Sequence, residues 1–341
     1  MEENELLDLC QPKVRVSFQI IPSPYWTAEI YSFGKYIREY GYYPFFLPLC
    51  VYTDHGPGYV NPPLLHELES DAPAQFYHSP LAVREWRKIA KKPCYNLYSP
   101  AVFYRRKNKI TTDPEANGTI AFYAHSTQDI DNISNIETYA KQLLALPNIF
   151  QPVSVCLHMH DVNKGKYKVF MKYGIPVYTA GNGSDYRFIE RFYEIIRKFK
   201  YATSDIVGSY LYYAVEMGIP FFIFGEHPIF ENKGNIHFEI GALDFLKVYP
   251  EYLKTLRLFL GLFETITNEQ RQLVERDLGI RNGISRWKMA WVLYMSFLKF
   301  IFSRRGFKYT VSCTSKRIID HFKIASRTKR KVEDIDASAH Y

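Results

Sequence analysis

The sequence predicts an α/β protein in which two Rossmann-like domains face a cleft and a helical extension follows. Three observations predict this fold. Short apolar runs alternate with segments of helical periodicity, the alternation restarts after one polar stretch, and no convincing strand pattern follows residue 240. Alternating strands and helices imply parallel sheets covered by helices. We expect a first block at 1–112, a second block at 113–240 and the extension at 241–341.

The composition favours large folded cores in a reducing compartment. Of the 341 residues, 47% are hydrophobic and 17% are aromatic, which argues against a disordered chain. The five cysteines show no C-x-x-C spacing, so neither a disulfide framework nor a zinc site is expected. The N-terminus is acidic and contains no apolar signal-peptide segment. Together these features predict a cytoplasmic protein.

The net charge of +8 is concentrated near the C-terminus. Residues 304–331 contain ten Lys or Arg and one acid, a net charge of +9, which leaves −1 for the rest of the chain. A nucleic-acid groove distributed over the domains is therefore not expected.

The first block begins the alternation and ends in a linker. Its predicted elements are strands at 14–21, 43–52 and 94–99, helices at 26–41 and 80–91, and a linker at 105–118. The second strand runs into Thr53-Asp54-His55-Gly56. An Asp beside a His and flexible glycines suits a general base acting on a hydroxyl, so Asp54 and His55 are candidate catalytic residues. A tight Asp/Gly turn explains the same residues equally well.

The second block repeats the alternation more regularly. Strands are predicted at 119–125, 152–158 and 175–180, helices at 133–146, 164–173 and 185–200, and a final strand–helix–strand unit at 201–228. Polar clusters follow the strands, and in a parallel sheet these ends converge on one edge. A single polar loop would be unremarkable, but four on one edge favour a binding site. The candidates are His125, Ser126, His160, Gly181, Ser184, Asp185, Glu226 and His227.

The unit at 201–228 is the strongest of these signals. Ser204 precedes a helix that carries Gly208 and Ser209 at its start, and a helix N-terminus offers unpaired N–H groups and a positive dipole end to a phosphate. These three residues are therefore candidate phosphate ligands. Taken alone, the unit also fits an ordinary capped helix.

The segment His158-Met159-His160-Asp161 raises the question of a metal. Alternate residues of a strand point to opposite faces, so His158 and His160 are not expected to share one ion. No bound metal is predicted. A histidine that donates to a phosphate or a sugar hydroxyl is the interpretation we favour.

Residues 289–302 form an almost entirely apolar segment flanked by Arg and Lys. Fourteen residues are too few to span a bilayer, which needs about 20 in a helix. The segment fits a helix in a membrane interface, with the basic residues of 286–331 drawn to anionic lipid. A helix packed between the domains fits as well.

The run S-D-x-x-G-S…G-x-P…G-E-H-P, which begins at Ser204, resembles GT-B glycosyltransferases of bacterial surface-polysaccharide assembly. The closer resemblance is to the capsule and lipopolysaccharide group that includes Kdo transferases, with a distant similarity to sialyltransferases. The D-H-G turn at 54–56, the T-x-G at 179–181 and the D-x-x-F at 185–188 are further matches. The sequence departs from this pattern at Asn182, where a basic or His residue is expected.

The resemblance implies a GT-B-like, metal-independent glycosyltransferase without a cofactor, whose donor is a nucleotide-sugar, with a weak preference for a CMP-linked one. It implies that Ser204, Gly208 and Ser209 hold the donor phosphate, that Glu226 and His227 lie near the ribose or phosphate, and that Asp54 is the acid/base. The expected acceptor is an oligosaccharide or a lipid-linked sugar, which suits an enzyme on the inner face of the cytoplasmic membrane. The alternatives are a nucleotide-sugar epimerase on the same fold and a non-catalytic adaptor that binds a membrane or a partner protein.

Overall fold

The computed structural model describes residues 1–12, 21–54, 56–57, 63–234 and 250–313. Within these ranges the protein has the predicted α/β fold, with two parallel sheets covered by helices. The first sheet has the order β1-β2-β3 and the second the order β7-β6-β4-β8-β9, and a small antiparallel pair joins β5 to β10.

In its described residues, the first block has three short strands and five helices. In chain order these are α1 (Glu3–Cys10), α2 (Phe33–Tyr40), β1 (Tyr52–Thr53), α3 (Leu65–Glu69), β2 (Gln75–Tyr77), α4 (Pro80–Ile89), β3 (Cys94–Asn96) and α5 (Pro100–Lys107), with 3-10 turns at Trp26–Ala28 and Ile30–Ser32. Helix α4 begins where expected, because Ser79 caps it and Pro80 occupies its first turn.

The second block contains the larger sheet. Its elements are β4 (Thr119–Phe122), β5 (Ile130–Asn132), α6 (Ile136–Leu144), β6 (Val153–Cys156), α7 (Met159–Asn163), α8 (Tyr167–Lys172), β7 (Val177–Tyr178), α9 (Phe188–Ile196), β8 (Tyr201–Ser204), α10 (Ser209–Met217), β9 (Phe221–Ile223) and β10 (Phe230–Asn232), with a 3-10 turn at Asn148–Phe150. Every strand predicted in this block is present. Helix α10 ends at Gly218, which adopts a left-handed φ of 98°.

The described part of the extension, residues 250–313, is mainly helical, as predicted. It contains α11 (Pro250–Phe259), α12 (Asn268–Asp277) and α13 (Arg286–Ile301). These helices pack into the body of the protein, since Phe259, Leu273 and Met289, one from each helix, belong to the main apolar core. Helix α13 lies so close to α2 that a Cβ on Gly41 would stand 2.8 Å from side-chain atoms of Met289 and Leu293. Within the described ranges, no helix is long and apolar enough to cross a membrane.

The first block differs from its predicted elements in one strand and one helix. The strand predicted at 43–52 is wrong except at Tyr52, because Pro44 and Pro48 lack the N–H groups that a strand ladder needs. The helix predicted at 26–41 is interrupted, since Tyr31 and Ser32 adopt left-handed φ values of 55° and 59°. The strand predicted at 14–21 lies outside the described residues except for its last residue.

The two blocks share one hydrophobic core. It includes Phe33 and Phe76 from the first block and Phe192 and Leu211 from the second, all buried. The N-terminal helix α1 packs on the second block, where the terminal amino group of Met1 donates to the carbonyl of Val177 at 3.0 Å. The domain boundaries predicted at 112 and 240 stay a prediction.

Candidate functional site

The strand order of the larger sheet locates a candidate site. In chain order within the parallel sheet, its five strands are arranged 3-2-1-4-5, so the order reverses between β4 and β8. The connections that leave these two strands cover opposite faces of the sheet and open a crevice at their carboxyl ends, where ligands of such sheets bind. We call this point the switch edge and define it by residues 123–126 after β4 and 204–209 after β8.

Two buried carboxylates hold the loop that follows β4. Asp205, at the end of β8, accepts the N–H of Ala124 at 3.0 Å. From the other side, Asp161 accepts the N–H of Ser126 at 3.1 Å and pairs with Lys166 at 3.0 Å. Burial raises the pKa of Asp205 to about 7, with Asp161 adding a smaller like-charge effect. The switch edge therefore contains a carboxyl group that titrates near neutral pH.

The predicted site residue Ser126 has a role in this loop. It is fully buried, and its hydroxyl donates to Asp131 at 3.0 Å and accepts from Lys166 at 3.0 Å. Burial acts to raise the pKa of Asp131, but hydrogen bonds from Ser126 and Lys164 outweigh it and lower the pKa to about 2. These contacts fix the shape of the loop that carries His125.

Three histidines cluster beside the switch edge. The ring of His125 stacks on that of His158, with centroids 4.4 Å apart, and the ring of His160 lies 5.1 Å from His158. Burial, followed by the neighbouring histidines, holds the pKa of His158 well below its ordinary value, and burial likewise lowers the pKa of His160. Both rings are therefore neutral at neutral pH. Each can donate one N–H to a ligand and accept at its other nitrogen.

A tyrosine from the first block reaches this histidine cluster. The ring of Tyr31 lies 6.4 Å from that of His158, edge to face, and its backbone N–H donates to the carbonyl of Gly183 at 2.6 Å. The left-handed backbone at Tyr31 and Ser32 turns this side chain toward the second block. Sequence reasoning missed Tyr31, because nothing in the local residue pattern indicates a positive φ at a tyrosine.

The glycine-rich loop after β7 is tied to the N-terminal helix. Gly181 has a φ of 86°, and a Cβ there would lie 2.7 Å from the carbonyl oxygen of Leu9. Asp185 is buried and pairs with Arg191 at 2.9 Å. Ser184 is exposed beside them. Of the residues predicted in this loop, Ser184 alone presents a side chain to solvent, while Gly181 and Asp185 shape the backbone.

The predicted phosphate ligands in the loop after β8 differ in burial. Ser204 is fully buried, and its hydroxyl shares a hydrogen bond of 2.7 Å with that of Tyr210. Gly208 and Ser209 are half-buried at the start of α10. The hydroxyl of Ser209 donates to the carbonyl of Pro57 at 3.2 Å. Phosphate contact by all three stays a prediction, and the structure gives Ser204 other partners.

The residues predicted after β9 lie at the surface. Glu226 is exposed and His227 is half-buried. They follow Gly225, whose φ of 101° turns the chain out of the strand. Strand β9 is adjacent to β8, so these side chains belong to the same edge of the sheet as α10.

In the first block, Asp54 forms a dyad with a histidine that the sequence reasoning overlooked. The Nδ1 of His78 lies 2.6 Å from one carboxylate oxygen of Asp54, and the backbone N–H of His78 donates to the other at 2.9 Å. His78 follows β2 as Asp54 follows β1, so the signal that identified Asp54, a polar residue after a strand, applied equally to it. The second predicted catalytic residue, His55, lies outside the described residues.

The carboxyl ends of the two sheets meet near Asp54. Pro57, whose carbonyl contacts Ser209, is three residues further along the chain, which limits its Cα separation from Asp54 to about 11 Å. A Cβ on Gly56 would clash with the side chain of Ser209. The structure therefore brings Asp54, at the end of a strand of the first sheet, close to the start of α10. His125 and His160 follow β4 and β6, so they lie on the same edge of the larger sheet as the start of α10. Among the described residues, no three His, Cys, Asp or Glu side chains are arranged to hold a metal ion.

Comparisons with known proteins add little to this geometry. No protein-family model and no curated protein sequence matches the chain. Among solved structures, the chain is similar to a UDP-GlcNAc 2-epimerase from Neisseria meningitidis bound to UDP-GlcNAc, at 13% identity and a TM-score of 0.36. That alignment covers 67% of this chain and 62% of the epimerase.

Two further solved structures are similar at the same low level. The wall teichoic acid polymerase TagF is 10% identical, with 81% of this chain and 68% of that chain covered and a TM-score of 0.35. An O-GlcNAc transferase mutant from Thermobaculum terrenum is 11% identical, with 75% and 46% covered and a TM-score of 0.22. At these scores the similarities do not identify an activity.

Proposed function

We propose that this protein is a glycosyltransferase that transfers a sugar from a nucleotide-sugar donor to a surface-polysaccharide or glycolipid acceptor. The observation that carries the proposal is the position of the switch edge. The N-terminus of α10, the histidine cluster and the Asp54–His78 dyad all lie at carboxyl ends of parallel strands, where such sheets bind nucleotides. The motif resemblance described above supports the choice of glycosyl transfer.

In this proposal the second block binds the donor. The N–H groups at the start of α10, including those of Gly208 and Ser209, would face the diphosphate or monophosphate, where the helix dipole stabilises negative charge on the departing nucleotide. The neutral ring of His160 would donate to a phosphate or sugar hydroxyl, and the ring of His125 would contact the same part of the donor. Ser184, Glu226 and His227 would border the nucleotide, while Ser126, Gly181, Asp185 and Ser204 would hold the loops in place.

The first block would supply the acid/base. Asp54 would orient or accept the proton of the acceptor hydroxyl, as a carboxylate within hydrogen-bond reach can. His78 is fully buried and donates to both oxygens of Asp54, which fixes the orientation of the carboxylate. No cofactor or metal is part of the proposal, since dipoles and neutral donors at α10 would stabilise the leaving group. A cytoplasmic location and the three-part division of the chain belong to the same proposal.

Donor binding can be tested by thermal shift with CMP, UDP, GDP and their sugars. Because a ligand that binds the native state raises its melting temperature, we expect a shift with one nucleotide family. Ser209→Asp should abolish it, since a carboxylate at this position repels phosphate while suiting the helix dipole. Ser285→Asp, at the start of α13, is the matched control and should keep the shift. No shift with any nucleotide would contradict the proposal.

The chemical step can be tested with Asp54→Asn and the donor that binds. We expect the nucleotide-dependent shift to persist and sugar transfer to fall by at least about 100-fold, the size of a lost general base. Unchanged transfer would exclude Asp54 from the reaction. Conversion of the free nucleotide-sugar without an acceptor would instead identify an epimerase, and nucleotide binding without any turnover would favour the adaptor.

A further inference from the structure

The outer face of helix α13 is an exposed apolar surface that the proposed active site does not explain. Its inner face is buried against α2, through Met289 and Leu293 among others. The opposite face carries large apolar side chains at helical spacing that lie in solvent. They are Trp287 (77% exposed), Trp291 (66%), Tyr294 (40%), Leu298 (41%) and, just beyond the helix, Phe302 (83%). A single exposed apolar side chain is ordinary, but five in one stripe, four of them aromatic, indicate a contact surface.

A loop of the first block widens this stripe. The rings of Tyr42 and Trp287 lie 5.0 Å apart, as do those of Tyr43 and Tyr294, and the hydroxyl of Tyr294 donates to the carbonyl of Tyr42 at 3.2 Å. The same loop continues into Phe45 and Phe46, each 50% exposed. We call the stripe and residues 42–46 together the aromatic face.

The charged residues of the chain segment that carries helix α13 all have one sign. Residues 278–319 contain nine Lys or Arg and no Asp or Glu. Lys288, Lys299, Arg304 and Lys308 are exposed along or just after the helix. Arg305 is also exposed, and its charge is offset by Asp71 at 2.5 Å. The remaining cations leave a net positive field around an apolar surface.

We propose that the aromatic face docks the protein onto the surface of an anionic lipid bilayer. Trp, Tyr and Phe supply rings that suit the headgroup region, and each nearby cation adds to the attraction for anionic lipid. A helix of 16 residues is too short to span the bilayer, so it lies in the interface plane. A second copy of the chain fits poorly, because it would bring two sets of like charges together. The proposal does not depend on the proposed glycosyl transfer.

The test is sedimentation of the full chain with vesicles. We expect binding to phosphatidylcholine vesicles that contain phosphatidylglycerol, weak binding to phosphatidylcholine alone, and release at about 1 M salt, where the Debye length is about 3 Å. Trp291→Glu and Phe302→Glu should each lower the partition coefficient by about tenfold or more, since each removes an apolar ring and adds a repelled charge. Ile89→Glu changes an equally exposed apolar residue on α4 and should leave binding unchanged.

Three results would overturn the proposal. The first is no binding to anionic vesicles. The second is equal binding by Trp291→Glu and Ile89→Glu. The third is a dimer in sedimentation velocity that Trp291→Glu dissociates, which would assign the face to a second copy. A chain ending at residue 313 should retain part of the binding, because the aromatic face is complete without the basic segment that follows.

Discussion

At the residue scale, the candidate site depends on polar groups that are buried as well as on those that reach solvent. Asp205, Asp161 and Ser126 are all buried, and their hydrogen bonds fix the loop between β4 and the histidine cluster. Buried polar groups of this kind stabilise one loop conformation only while every partner is present. Their substitution should therefore affect both stability and ligand binding.

The pH dependence of stability should reveal Asp205. Its pKa rises from 3.8 to about 7 on folding, so between these values the unfolded chain has lost a proton that the native chain keeps. By linkage, stability from this group falls as pH rises from about 4 to 7, by roughly 4 kcal/mol in all, and is constant above. Asp205→Asn removes the titration. Its stability relative to the wild type, measured by urea unfolding, should increase between pH 5 and pH 8; a constant difference would contradict the assignment.

The close approach at Gly181 can be separated from its backbone strain. Gly181 and Gly174 both have left-handed φ values, of 86° and 72°, but a Cβ on Gly174 would meet nothing within 4 Å. Gly181→Ala should therefore cost about 2 kcal/mol more than Gly174→Ala in chemical unfolding, because it adds a backbone clash to the same strain. Equal costs would mean that α1 does not lie against this loop.

The sequence predicted these residues unevenly. The polar clusters predicted to follow strands of the second block do follow strands. They come together because the ends of parallel strands lie on one edge of the sheet, whatever their side chains are. The sequence could not distinguish Ser126 and Ser204, which are buried, from Ser184 and Ser209, which are not, since burial depends on which loops pack above them. Tyr31 was missed because its importance arises from a left-handed turn and from contacts across the chain, and His78 because no strand was predicted at 75–77 before it.

At the element scale, the second block was predicted almost completely and the first only in part. The strands of the second block are apolar runs ended by Gly or polar clusters, a pattern that local sequence expresses well. In the first block, the extended segment before β1 contains two prolines, and α2 begins after a left-handed turn. The antiparallel pair β5 and β10 was missed, since its partners are about 100 residues apart. Such elements form through tertiary contacts, and these contacts cannot be deduced from a single sequence.

Helices α5 and α10 are joined by a buried ion pair that offers a controlled test. Glu216 is buried and accepts two hydrogen bonds of 2.6 Å from Arg105 and one of 2.9 Å from Arg106. The side chain of Arg105 is 14% exposed and that of Arg106 is 44% exposed. Arg105→Met should cost about 3 kcal/mol in unfolding free energy, because it strips the buried carboxylate of its main partner. Arg106→Met should cost about 1 kcal/mol or less.

The losses of unfolding free energy in Arg105→Met and Arg106→Met distinguish two arrangements of the ion pair. A larger loss of unfolding free energy in Arg105→Met than in Arg106→Met would confirm that Arg105 is the main partner of Glu216. Equal losses would mean that Glu216 redistributes its bonds to the remaining arginine. Measuring Glu216→Gln beside them shows how much of each loss is charge, since the amide keeps the size of the side chain.

At the scale of the whole molecule, the two blocks share one hydrophobic core in this structure. One apolar core includes residues of both sheets and of the extension, and α1 and α13 each pack on a block distant from them in sequence. The sequence suggested two domains separated by a linker at 105–118; residues 105–107 of that range belong to α5, and the division into domains stays a prediction. The order of residues along the chain does not show how much apolar surface the two blocks bury against each other.

We therefore expect the chain to unfold in one transition. All four tryptophans lie outside the second block, so their fluorescence reports on the first block and α13, while hydrogen exchange of peptides from β4, β6 and β8 reports on the second. The two midpoints in urea should coincide. Leu211→Ala, in the shared core, should lower the free energy of unfolding by about 3 kcal/mol and move both midpoints to lower urea by the same amount. If the second sheet exchanges at a lower urea concentration than the tryptophans report, the blocks fold independently, and ligand binding at the switch edge would not require the first block.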